Sequence, residues 1–122
     1  MPHIVIAEDE EDVREFLFRA ISRSAPNSQI TTAENGAAAL KVIEQRDCDL
    51  LVTDQRMPIM TGIELLQAVH ALGKTFPIII ISADMTAEAA ALEAGADAFY
   101  YKPLSLGQIR EIIKIWLLAP SE

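Results

Sequence analysis

Cysteine occurs once in 122 residues, as Cys48. No internal disulfide can staple such a chain, and the cytoplasm is the expected compartment. Aromatic residues are scarce at 6%, while 51% of the residues are apolar. The core must therefore be aliphatic, and a chain this apolar is not expected to be disordered. No stretch approaches the roughly 18 consecutive apolar residues of a membrane span. The opening Met1-Pro2-His3-Ile4-Val5-Ile6-Ala7 has no basic flank and runs straight into acids, unlike a signal peptide. Positive charge is also in short supply, with 10 Lys and Arg against 18 Asp and Glu, a net of −8. That surface repels phosphate backbones, so this domain is not expected to bind nucleic acid directly. Repeats, low-complexity tracts and internal linkers are missing, and one domain over residues 1–122 is expected.

What the chain does contain is an alternation. Ile- and Val-rich runs at 4–7, 50–53 and 77–81 have the continuous apolar character of strands buried on both faces, as in a parallel sheet. Weaker strand candidates are Gln29–Ala33 and Ala98–Tyr101. Between them fall helical patterns. Val13, Phe16, Leu17, Ala20 and Ile21 recur at helical spacing, as do Ile109, Ile112, Ile113, Trp116 and Leu117. Leu65, Leu66, Val69 and Leu72 form a third stripe, and Gly36–Gln45 and the alanine-rich 86–94 complete five helices. Thr61 with Glu64, and Ser105 with Gln108, have capping-box spacing. Gly73 and Gly95 stand where helix ends favour a left-handed residue. Alternating β and α units of this length imply an α/β fold, a parallel sheet with helices on both faces.

In such a sheet, ligands bind beyond the carboxyl ends of the strands. Glu8 and Asp9 follow the first strand, Asp54 the third, Ser82 the fourth and Lys102 the fifth. The second runs into Thr32-Ala33-Glu34-Asn35, which reads as a helix cap. Three carboxylates brought together raise one another's pKa unless cations offset them. Lys102 supplies one charge, and a hard oxygen-loving ion, Mg²⁺ above all, supplies two. A site of that kind suits a phosphoryl group held by metal and Lys while a carboxylate oxygen attacks phosphorus, with Asp54 as the nucleophile. Taken singly, each residue has a plainer reading. Acids complement a helix N-terminus, Asp before Pro58 forms turns, Ser82 caps, and Lys102 is solvated. Their joint placement at four strand ends is what a solvated surface does not predict.

The ordered blocks resemble the receiver domains of response regulators. Ile4-Val5-Ile6-Ala7-Glu8-Asp9-Glu10 is similar to that family's first strand and acidic pair. Asp54-Gln55-Arg56-Met57-Pro58-Ile59-Met60-Thr61-Gly62 resembles the segment of its acceptor Asp. Ile80-Ile81-Ser82-Ala83 and Gly95-Ala96-Asp97-Ala98-Phe99-Tyr100-Tyr101-Lys102-Pro103-Leu104 resemble its last two strands. The match covers essentially the whole chain.

That resemblance implies a doubly wound, flavodoxin-like five-stranded sheet in the order 2-1-3-4-5, the order for which a receiver protein is a standard illustration. It implies a two-component or phosphorelay switch: Asp54 takes a phosphoryl group from a histidine kinase or histidine phosphotransfer protein. Mg²⁺ would be bound by Asp9, Asp54 and the backbone carbonyl of Arg56, with Glu8 acting partly through water. Ser82 and Lys102 would each engage a phosphoryl oxygen, the Lys102–Pro103 bond would be cis, and Phe99 would be the aromatic that turns inward with Ser82. Output would pass through the fourth helix, fifth strand and fifth helix, with Tyr100 or Tyr101 contributing. Three departures stand out. Glu8 replaces the commoner Asp, Phe99 lacks the hydroxyl of a Tyr, and Thr61 replaces a frequent acid, which its capping role explains. Arg56 and Asp84 fall at positions that modulate the lifetime of the aspartyl phosphate, and we expect them to pair across the site mouth and restrict attacking water.

Other function classes fit less well. A phosphatase or phosphotransferase with an Asp nucleophile would need an acid–base two residues on, where Arg56 cannot take up a proton. A flavodoxin-type nucleotide module would meet phosphate with Glu8-Asp9-Glu10-Glu11-Asp12, which repels it. A receiver-like scaffold that works by binding alone is a third reading. The chain is therefore not expected to be a turnover enzyme. Cys48 reads as a core-edge residue, and His3 and His70 lack relay partners. Trp116 and Leu117 are expected to pack inward, with a homodimer face as the alternative. The alanine-rich fourth helix is expected to be the more mobile one. Residues 119–122 suit either a linker to an output domain or a short polar end of a stand-alone regulator.

Overall fold

The computed structural model describes residues 1–118. The tail at 119–122, read as a linker or a polar end, lies outside the described residues. Strands β1 (His3–Ala7), β2 (Gln29–Ala33), β3 (Leu50–Asp54), β4 (Ile78–Ser82) and β5 (Ala98–Tyr101) alternate with α1 (Glu11–Ser24), α2 (Gly36–Gln45), α3 (Gly62–Ala71), α4 (Ala87–Ala94) and α5 (Leu106–Trp116). All pairings are parallel and the sheet order is β2-β1-β3-β4-β5. The chain steps from β1 outward to β2 and returns to β3 on the other side of β1, so the sheet reverses direction between β1 and β3.

The side-chain period of two divides the aliphatics between two cores. Ile4, Ile6, Leu50, Val52, Ile79 and Ile81 pack with Leu17 and Ile21 of α1 and Ile109, Ile112 and Ile113 of α5. Val5, Leu51, Ile78 and Ile80 pack with Ile43 of α2, Leu65, Leu66 and Val69 of α3, and Ala91 of α4. The central strands β1, β3 and β4 are buried along their whole length, which is why their sequences are runs and not alternations.

Both capping boxes form, Thr61 with Glu64 and Ser105 with Gln108. Asn35 caps α2 by accepting from Ala38 N at 2.8 Å. Gly73 and Gly95 have φ of 75° and 110° at the ends of α3 and α4. Two stripe residues depart from expectation. Phe16 is 42% exposed because α1 turns only Leu17, Ala20 and Ile21 fully onto the sheet, and Leu72 is 44% exposed because α3 ends at Ala71. Trp116 and Leu117 do pack against the α1–α5 core. None of the described helices is long and apolar enough to cross a membrane.

Helix α4 differs from the others. Its buried residues are Ala87 and Ala91, and Thr86 gives it no side-chain cap. Alanine buries little area, so little apolar energy holds this helix to the sheet. Amide hydrogen exchange is expected to be faster in α4 than in α1, α3 or α5. Protection in α4 equal to theirs would contradict this.

Candidate functional site

The carboxyl ends of β1, β3, β4 and β5 open into a cleft of about 550 Å³ lined by Asp9, Asp54, Arg56, Ser82, Asp84 and Lys102, among others. Glu8 follows β1 and is fully buried, whereas Asp9 turns outward and is exposed. Arg14, one turn into α1, reaches back to hold this bend, with Nη1 donating to the carbonyl of Glu8 at 3.0 Å and of Asp9 at 3.5 Å. Asp54 ends β3 and is 4% exposed. The loop after it is tightly wound. Met60 N donates to Pro58 O at 2.7 Å across Ile59, whose φ of 72° makes a γ-turn at a β-branched, 80% exposed residue. Gly62 closes the loop where a β-carbon would overlap the carbonyl oxygen of Asp54.

Charge organises the site. Lys102 Nζ lies 2.7 Å from Glu8 Oε1 and 2.8 Å from Asp54 Oδ2. The contact to Asp54 is a hydrogen bond; the contact to Glu8 lacks hydrogen-bond alignment and leaves Oε1, a buried atom, without a donor. Its other oxygen accepts from Glu10 N at 3.0 Å. Burial, aided by the neighbouring Asp54 charge, pushes the Glu8 carboxyl up to about 7 despite Lys102. Burial works against the Lys102 ammonium too, but its hydrogen bond to Asp54 and its ion-pair contact with Glu8 prevail and raise its pKa. Glu8, Asp9 and Asp54 each offer a carboxylate oxygen within 4.8 Å of the others. Three carboxylates against one ammonium, with one buried oxygen lacking a donor, fit a hard divalent cation with oxygen ligands.

Two chains of contacts lead away from the cleft. Ser82, 1% exposed, accepts from Asp84 N at 3.0 Å. Asp84 in turn accepts from Thr86 N at 2.9 Å and Oγ1 at 2.6 Å, and from Arg56 Nη2 at 2.8 Å. The Thr86 hydroxyl, then Arg56, hold the Asp84 carboxyl down at about 2. On the neighbouring strand, the Phe99 ring meets Tyr101 edge-on at 5.2 Å between centroids. The Tyr101 hydroxyl donates to Glu88 in the first turn of α4.

The structure thus brings together Glu8, Asp9, Asp54, Ser82 and Lys102, pairs Arg56 with Asp84 across the mouth, and sets Phe99 beside β4. Lys102–Pro103 is cis. Cys48 is buried at the core edge, where burial pushes its thiol up to about 11. His3, for which no relay partner is expected, is buried at the opposite end of the sheet in a structural role. It lies 2.7 Å from Asp47 O and 2.8 Å from Thr31 Oγ1. Sequence reasoning missed Arg14, Gln55 and the Tyr101–Glu88 bond. For Arg14 a signal existed, a lone cation one turn behind five acidic positions; for the other two none did.

Comparison with known proteins agrees with this geometry. The sequence model of the response regulator receiver domain matches residues 4–114. The chain is similar to the transcriptional regulatory protein PrrA of Mycobacterium bovis, 30% identical over 95% of this chain and 50% of the relative. It thus spans about half the length of that relative. It is also similar to the two-component response regulator ORR41 of Oryza sativa subsp. japonica, 32% identical over 98% of this chain and 97% of that one. Among solved structures, it resembles the signal receiver domain of the putative response regulator NarL from Mycobacterium tuberculosis. The TM-score is 0.82 and the identity 29%, covering 93% of each chain.

The raised Glu8 carboxyl has a measurable consequence in metal-free buffer. Its folded pKa of about 7 lies above the ordinary 4.5, so its contribution to stability is full below pH 4.5 and is lost as pH rises to 7. Relative to Glu8→Gln, the wild type is expected to lose on the order of 2 to 3 kcal/mol over that window. Urea denaturation of both proteins with chelator at pH 4.5 and 7 reads the difference directly. Parallel curves would mean that Glu8 titrates normally.

Proposed function

We propose, on the premise that this chain belongs to the response regulator receiver domain family, that it is a phosphorylation-operated switch of two-component signalling with Asp54 as acceptor. The observation that carries the reading is the Lys102 ammonium bound to Asp54 Oδ2, with the carboxylates of Glu8 and Asp9 beside it. One receiver unit over 1–122 is the domain assignment that goes with it.

In the reaction, one carboxylate oxygen of Asp54 attacks the phosphorus of a phosphohistidine on a kinase or phosphotransfer protein. A P–O bond forms as the P–N bond breaks, and the departing imidazole keeps the electron pair. Lys102 and the Ser82 hydroxyl each take a phosphoryl oxygen, offsetting the charge that Asp54 gains. Asp9, Asp54 and the Arg56 carbonyl would hold Mg²⁺, with Glu8 acting partly through water, and the ion would supply further charge neutralisation to the site. Arg56 stands where a turnover phosphatase of this design needs an acid–base. Its guanidinium cannot exchange a proton, so the phosphoryl group stays as the product.

The two contact chains supply a physical route for the switch. When Ser82 turns to the phosphoryl group it releases Asp84 N, which anchors the start of α4. Phe99 then has room to move inward, and Tyr101, packed against it, shifts its bond with Glu88. Both events act on the helix held most weakly to the sheet, so the face of α4, β5 and α5 changes its population of states. That face is where we expect an output domain, a protein target or a second copy to bind.

Treatment with acetyl phosphate should add one phosphoryl group to the intact protein, seen by mass spectrometry, only with Mg²⁺ and not in Asp54→Ala. No gain in the wild type, with a purified phosphotransfer donor also failing, would favour a binding scaffold. In Arg56→Ala the aspartyl phosphate should hydrolyse faster, because the pair with Asp84 no longer screens the cleft. An unchanged lifetime would remove that gate.

A further inference from the structure

Gln55 follows Asp54 directly and uses its main-chain N–H, its carbonyl and its side chain. Gln55 N donates to Asp54 Oδ1 at 2.8 Å and also approaches Ile81 O at 3.0 Å. Its carbonyl accepts from Gly62 N at 3.0 Å, and its side-chain oxygen accepts from Ile63 N at 2.8 Å. The first three amides of α3 are all satisfied: Gly62 and Ile63 by Gln55, and Glu64 by Thr61 Oγ1 at 3.2 Å. A single residue therefore joins the acceptor carboxylate to the N-terminus of α3.

Between the two legs of that neck runs the loop of residues 56–61, which carries Arg56 and the left-handed Ile59. A β-branched residue at positive φ stays there only where surrounding bonds over-determine it. The paired Gly62 and Ile63 bonds to Gln55 close the loop and hold it in that conformation. Gln55 also lines a second cleft, of about 600 Å³, with Asp9, Arg56 and Asp84, so it sits beside the groups it orients.

We infer that the Gln55 side chain is a positioning residue: by bonding Ile63 N it locks the neck of the β3–α3 loop and fixes Asp54 and the Arg56 carbonyl in the geometry that binds a divalent cation. The inference rests on the proposed metal-assisted function. It is separable from that reading, because position 55 touches no ligand through its side chain. An apolar side chain there keeps the main-chain bonds but leaves Ile63 N unmet, and the strain at Ile59 can then relax by turning the Arg56 peptide.

Two variants of similar size test this, Gln55→Met without an acceptor and Gln55→Glu with one. Mg²⁺ affinity is read by titration calorimetry on protein shown to be folded by circular dichroism, and the Ile63 amide by hydrogen exchange. Gln55→Met should bind Mg²⁺ about tenfold more weakly, the lower end for partners that orient metal ligands, and should exchange Ile63 faster. Gln55→Glu should keep Ile63 protected and bind Mg²⁺ at least as well as wild type. Wild-type affinity in Gln55→Met, or equal weakening in both variants, would overturn the inference. If the wild type itself binds no Mg²⁺, the parent reading falls, and the inference falls with it.

Discussion

One ammonium group makes the carboxyl edge of this sheet tenable. Lys102 Nζ stands within 2.8 Å of two carboxylates, Glu8 and Asp54, that are almost wholly shielded from water. Buried carboxylates without a cation would have to take up protons. The placement of Lys102 depends in turn on β5 pairing with β4, where Lys102 N donates to Ser82 O at 3.0 Å. The last strand of the fold thus supplies the charge that lets the first and third end in acids.

The same arrangement explains why the site is poised and not saturated. One ammonium is shared by two buried carboxylates, with the exposed Asp9 close by, and Glu8 responds with a raised pKa and an oxygen that lacks a hydrogen-bond donor. Negative charge is left over at the cleft, enough to suit a further cation. Around this centre the contacts grow weaker outward. Aliphatic packing holds β1, β3 and β4, hydrogen bonds hold the loops, and small side chains hold α4.

Much of this was legible in the residues. The aliphatic runs at 4–7, 50–53 and 77–81 announce buried parallel strands because only a sheet covered on both faces tolerates them, and the strand-end residues then follow from topology. Thr61, Ser105, Gly73 and Gly95 act through neighbours within four residues, so local spacing suffices to read them. Gln55 and Tyr101 could not be read. Gln55 meets Ile63 because the loop winds through Ile59, and Tyr101 meets Glu88 because α4 crosses β5 at a particular height; neither relation has a sequence period. Phe16 shows the reverse limit. Its spacing fits the apolar stripe, but how far α1 is rotated over the sheet is set by all its partners together.

His3 gives the molecule a fixed end. At the amino edge its buried ring spans from β2 to the α2–β3 connection, and its main-chain N–H donates to Asp49 at 2.8 Å. Three segments are thereby riveted where no chemistry takes place. A lever moves a load only if its fulcrum does not yield. With the amino edge clamped, the sheet is stiffest at that end, and α4, held by small side chains, is the part of the fold least restrained at the other.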